Sequence, residues 1–131
     1  MIAIIAVTLL CGIEAVHAQA YPTRSIRFVA PYVPGGGVDF VARVVAAKLS
    51  ETIGQQVIVE NRPGGGTNIG SELVARAAPD GYTLLVGTMT THALAPTLNR
   101  KLPYDVVKDF SPVILLGNIP LVMSINPGIP A

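Results

Sequence analysis

The sequence predicts a layered α/β domain, with a parallel-rich sheet flanked by helices. Three observations predict it. Short β-favouring runs alternate with stretches of helical spacing, the first two runs reach their helices through glycine triplets, and every connection is short. Such alternation implies parallel strands joined by right-handed crossovers.

The elements follow in order. Ser25–Tyr32 contains Ile-Arg-Phe-Val-Ala, a strand-like run that Pro31 closes. Pro34-Gly35-Gly36-Gly37 is a loop. Val41, Val44, Val45, Leu49 and Ile53 then share one helical face, Asp39 suits the positive end of the helix dipole, and Gly54 ends the helix. Gln56–Glu60 is a second strand, Asn61–Gly66 a second glycine loop, and Asn68–Ala78 a second helix with Ile69, Leu73 and Ala77 on one face. Pro79-Asp80-Gly81 is a turn before a third strand, Tyr82–Gly87. Thr88–Leu98 is read as a short helix up to Pro96, Leu102–Asp105 as a turn, and Pro112–Leu116 and Leu121–Ile125 as two further strands. Val-Ala-Arg follows both glycine loops, at residues 41–43 and 74–76, which suggests two similar βα units.

Composition narrows the function. The chain is 50% hydrophobic and only 13% charged, against about 25% charged for ordinary soluble domains. Much of that skew sits in residues 1–20, where an apolar run over Met1–Leu10 precedes Ala18-Gln19-Ala20, a small-x-small tripeptide. This reads as an export signal, too short to anchor as a membrane span. The mature chain would begin at Tyr21 outside the cytoplasm, in the periplasm. It would then contain no Cys and a single His, His92, so a metal site of His and Cys is not expected. Net charge is +1, and the Lys and Arg residues are scattered, with no basic stripe for nucleic acid.

The glycine loops carry the chemistry. A glycine loop between strand and helix exposes backbone N–H groups beside a positive helix end, which suits an anion. In parallel sheets such loops stand at the carboxyl ends of strands, where ligands bind. Gly87-Thr88 ends the third strand and extends the same rim. No Gly-Lys-Ser/Thr follows either triplet, and the strand after Gly64, Gly66 and Gly70 ends in Val86-Gly87-Thr88 without the acid a ribose requires. A carboxylate fits better than a nucleotide. No nucleophile elbow is present, and His92 beside Thr90 and Thr91 is the only candidate base, so no catalytic residue is assigned.

An ordered set of motifs then resembles one family. Tyr21–Arg27, Pro31–Asp39, Val59–Gly70, Ala78–Leu85, Lys101–Asp105 and Lys108–Val113 together resemble the Bug-type extracytoplasmic solute receptors, the substrate-binding proteins of tripartite tricarboxylate transporters. The resemblance implies a periplasmic-binding-protein-like fold of the type II flytrap kind, with ligand held between two lobes. Residues 1–20 would be the signal peptide, 21–118 most of the first lobe, and 119–131 the crossover toward a second lobe. It further implies a monomer that takes a small carboxylate, needs no cofactor and hands its ligand to transporter membrane subunits. Carried onto this sequence, Tyr32, Pro34, Gly35, Gly36, Gly37 and Asp39 form one wall of the cleft. The carboxylate would dock on the N–H groups of Gly35 to Gly37. Asn68 would begin the second helix, and Thr88, Thr91 and His92 would form the rim after the third strand. Val38 stands where relatives often carry Thr, removing a hydroxyl from the wall. Two other readings compete: a sensory module for a membrane signalling partner, and a nucleotide-dependent oxidoreductase using Gly64–Gly70.

Overall fold

The computed structural model describes residues 20–99, 101–120, 122 and 124–128. The expected export signal lies outside the described residues. Three strands, β1 (Ile26–Ala30), β2 (Val57–Asn61) and β3 (Thr83–Leu85), form one sheet in the order β2-β1-β3. Both pairings are parallel, with Ala30 opposite Asn61 and Val29 opposite Leu85. The first strand in sequence is therefore central in space, and its loop stands between the other two.

Helix α1 (Gly37–Ile53) crosses from β1 to β2. Gly54 ends it in the left-handed conformation, φ 68°, donating its N–H to the Ser50 carbonyl. Glycine enters that region without the Cβ clash other residues meet. Ser50 also locks the helix to β2: its hydroxyl donates to the Ala46 carbonyl and accepts the Val57 N–H at 2.9 Å.

Along β1 successive side chains alternate between faces. Ile26, Phe28 and Ala30 pack with Ala42 and Ala46 of α1, with Val57 and with Val86. The expected helix face needs correcting here. Of that face, Val45, Leu49 and Ile53 pack half-buried against the core, but its buried centre is Ala42 and Ala46, Val38 joins it, and Val44 is 53% exposed. Small alanines let the helix axis approach the sheet, a requirement that hydrophobicity alone does not rank. The pair Asp39 and Arg43 one turn apart recurs at the end of α2 (Asn68–Ala75) as Glu72 and the capping residue Arg76.

Helix α2 is entered through a 3₁₀ turn at Gly65–Thr67 and contacts β1 and β3. It ends at Ala75 rather than Ala78, and Ile69 is exposed while Gly70 and Ser71 are buried. After β3 the chain makes a π-type turn, Thr90–Leu94, then a short helix α3 (Ala95–Leu98). Pro96 lies in the first turn of α3 and so begins it rather than ending it, as its missing N–H allows. The expected strand Pro112–Leu116 is not in the sheet; Ile114 and Leu115 are largely exposed and pair with no strand among the described residues. The expected strand Leu121–Ile125 falls partly outside the described residues.

Candidate functional site

Because the strands are parallel, the loops after β1, β2 and β3 emerge on one edge of the sheet. Tyr32, just beyond β1, ties all three together. Its hydroxyl is in hydrogen-bond contact with Thr88 Oγ1, beyond β3. Its carbonyl accepts from Asn61 Nδ2 of β2 at 3.1 Å.

The loop after β1 contains Pro34, Gly35, Gly36 and Gly37. Gly35 has φ 82°, which an L side chain rarely adopts, so glycine is required there. Asp39, only 4% exposed, accepts the Gly35 N–H at 2.9 Å and the Arg43 Nε–H at 3.0 Å through the same oxygen. The Arg43 hydrogen bond, then the Gly35 N–H, lower the Asp39 pKa to about 2. The Gly35 donor is thereby turned inward, toward the protein's own acid. The first N–H groups of a helix have no intrahelical acceptor, which leaves the Gly36–Gly37 end of the loop as its donor surface.

The rim after β3 is a hydroxyl cluster. Thr91 is fully buried, and its Oγ1 accepts the Thr88 N–H and donates to the Thr88 carbonyl, both at 2.8 Å. The same oxygen lies 2.7 Å from His92 Nδ1. Thr88 Oγ1 accepts the Thr90 N–H at 3.1 Å. The His92 ring meets Phe110 edge-on at 5.2 Å, and Phe110 meets Tyr104 in the same manner at 5.7 Å. Asn68 sits at the start of α2, where its Oδ1 accepts the Tyr104 hydroxyl at 3.3 Å. It therefore joins the aromatic cluster; among the described residues no hydrogen bond links it to Tyr32 or Thr88.

Beside the rim, a mainly apolar hollow of about 160 Å³ lies between the start of α1, the end of β3 and the segment Ile114–Ile119. Val38, Val41, Val86, Thr88 and Ile119 line it. On β2, Glu60 is held below its ordinary pKa, first by the Arg27 hydrogen bond and also by Arg62, so it stays ionised with its charge paired to both guanidinium groups. Two residues of the loop framework went unrecognised in the sequence: Asn61 and Arg43, whose side chains bond at 3.0 Å. The i,i+4 spacing of Asp39 and Arg43 was the available signal for Arg43. For Asn61 there was none without the register of β1 on β2.

A parallel α/β lobe with glycine and threonine loops gathered on one strand edge is the half-architecture of a periplasmic solute-binding protein, and solved structures of that class superpose on it. MatC from Rhodopseudomonas palustris with bound malate matches with a TM-score of 0.71 and 45% identity over 73% of this chain and 33% of its own. R. palustris Rpa4515 with adipate matches with a TM-score of 0.70 and 42% identity over 72% and 31%. The model of the tripartite tricarboxylate transporter family receptor matches residues 41–131, and this chain belongs to that family. Among curated relatives, Protein BugT of Bordetella pertussis is 43% identical over 118 residues, 88% of this chain and 36% of the relative. The UPF0065 protein in the tcbD-tcbE intergenic region of a Pseudomonas species is 44% identical over 110 residues, 84% of this chain and 32% of the relative. The chain thus spans about a third of the length of these relatives.

Proposed function

We propose that this chain is the ligand-capturing part of a solute receptor that binds a small carboxylate outside the cytoplasm for a tripartite tricarboxylate transporter, and that it carries no catalytic activity. One observation carries the reading: the β1 and β3 loops meet through Tyr32 and Thr88 at the carboxyl edge of a parallel sheet, in a member of a receptor family. The malate and adipate in the two similar structures support a carboxylate as ligand class. Residues 1–20 act as the export signal, 21–118 as the lobe and 119–131 as the crossover. No helix among the described residues is long and apolar enough to cross a membrane.

In this reading the carboxylate docks on the Gly36–Gly37 end of the loop, with the Thr88 and Thr91–His92 rim opposite. Hydrogen bonds to a charged group contribute about 1.5–3 kcal/mol each. Two would supply roughly 3–6 kcal/mol, short of the roughly 8 kcal/mol of a micromolar complex. Closure of a second lobe supplies the remainder and signals occupancy to the membrane subunits. The hollow beside Val38 receives the hydrocarbon part of the ligand. Calorimetric titration of the mature receptor with malate, adipate and their diamides tests this. Micromolar binding of an acid and none of its diamide is expected; equal binding of both, or protection by a nucleotide instead, overturns it.

A further inference from the structure

We infer that Asn61 and Arg43 are positioning residues that preset the β1 loop through a closed ring of hydrogen bonds. The ring starts at the Tyr32 carbonyl, which accepts Asn61 Nδ2 at 3.1 Å. Asn61 Oδ1 accepts Arg43 Nη2 at 3.0 Å, and Arg43 Nε donates to Asp39 Oδ2 at 3.0 Å. Asp39 Oδ2 then accepts the Gly35 N–H at 2.9 Å, three residues from where the ring began.

Each member does something its near equivalents cannot. Asn61 must donate with one amide atom and accept with the other, which neither Asp nor Leu can do. Arg43 must reach two acceptors in different directions at once, which a guanidinium fork does and an ammonium does not. Asp39 is a buried acid whose second oxygen, Oδ1, is buried without a partner. Burying a carboxylate is a poor route to stability. Its place in the first turn of α1, just after three successive glycines and bonded back to Gly35, points to a geometric task instead. A glycine loop loses more conformational freedom on ordering than any other sequence. The ring anchors this one to β2, a strand on the far side of β1 from the Thr88 rim.

Two consequences follow for the site. The ring turns the Gly35 N–H inward, so that the loop offers ligand its Gly36–Gly37 end. It also fixes the Tyr32 backbone, and with it the hydroxyl that meets Thr88. Loop order already present before binding raises affinity by removing an ordering cost. This last step rests on the carboxylate-receptor reading; the preset loop does not.

Amide exchange on the mature receptor, followed residue by residue, separates the two. In Asn61→Ala, exchange at the Gly35 amide, whose N–H Asp39 accepts, should accelerate roughly tenfold, the scale of one lost hydrogen bond, while Phe28, Val29 and Ala30 stay protected. Arg43→Lys keeps the charge and should reproduce the Asn61→Ala pattern, with malate affinity reduced several-fold in both. Unchanged loop exchange in Asn61→Ala, wild-type behaviour of Arg43→Lys, or equal acceleration in β1 would each overturn the positioning role. If malate and adipate fail to bind the wild type, the carboxylate reading falls, and the exchange pattern still decides whether the ring positions the loop.

Discussion

Gly70 of α2 packs directly on Pro31, the residue that closes β1. A Cβ placed on Gly70 would stand 2.8 Å from Pro31 Cβ and 2.9 Å from the Arg62 carbonyl oxygen. The helix therefore reaches the start of the β1 loop and the end of β2 together, at a distance only a missing side chain permits. This contact helps set where Tyr32 begins.

Gly70→Ala is accordingly expected to destabilise. Alanine gains about 0.8–1.0 kcal/mol of helix propensity over glycine, yet overpacking against backbone that cannot rotate away costs about 1–3 kcal/mol. The clash with Pro31 and Arg62 should win, lowering the urea midpoint. Gly117→Ala, where a Cβ meets nothing within 4 Å, is the control and should move it little. An equal response of the two variants would show that the close approach is not enforced.

Thr91 should be the most sensitive residue of the β3 rim. It is 1% exposed, and its hydroxyl serves both the N–H and the carbonyl of Thr88. Thr91→Val preserves shape but strands the Thr88 N–H, a loss of about 1–3 kcal/mol. Thr91→Ser keeps the hydroxyl and should restore most of it. Denaturant titration of both variants checks this; a valine variant as stable as the serine variant would remove the hydroxyl from the account.

How much of this was legible in sequence divides by physical distance. β1, the helix stop at Gly54 and the glycine loops were readable because each is decided within a few neighbouring residues. The face of α1 was readable only in part: Val45, Leu49 and Ile53 lie on it, but its alanine centre was missed. Val41 and Val44 outrank Ala42 and Ala46 in hydrophobicity, but contact with a sheet rewards the smaller side chain. Pro112–Leu116 has strand composition, and composition cannot supply the ladder partner a strand needs. At the site, Tyr32 and Thr88 could be named from their places at strand ends. Their bond, and that of Arg43 with Asn61, depend on pairing register, which places residues 56 and 18 positions apart side by side.

Strong acid should remove a specific contribution from Asp39. Arg43 and the Gly35 N–H hold its pKa at about 2, against 3.8 for a free aspartate. A carboxylate with a depressed folded pKa stabilises fully above its unfolded value, and loses that contribution as pH falls through the folded one. The window thus runs from about pH 4 down to about pH 2. Thermal midpoints of the wild type should fall more steeply across it than those of Asp39→Asn, which cannot ionise. Parallel curves for the two proteins would mean that the Asp39–Arg43 pair contributes nothing specific.

Gly87 and His92 supply a way to disturb the rim without disturbing the fold. A Cβ on Gly87 would come within 2.6 Å of His92 Cε1 and 2.9 Å of His92 Nδ1. Unlike the wall facing Gly70, the nearest obstacle is an exposed side chain that can swing away; the buried Thr91 Oγ1, 3.0 Å from the same Cβ, must give by a few tenths of an ångström. The φ of Gly87 is also not in the left-handed region, so alanine meets no backbone strain there. Gly87→Ala should therefore cost less stability than Gly70→Ala, whose obstacles are a proline and a backbone carbonyl. It should, however, push the imidazole off Thr91 Oγ1, 2.7 Å away, and off the Phe110 edge. Imidazole resonances of His92 should shift while the amides of β1 keep their wild-type positions, and malate affinity should fall several-fold. A loss as large as that of Gly70→Ala would mean that the rim of Thr91 and His92 is held in place and cannot yield. Unchanged imidazole resonances would mean that it never bore on Gly87 at all.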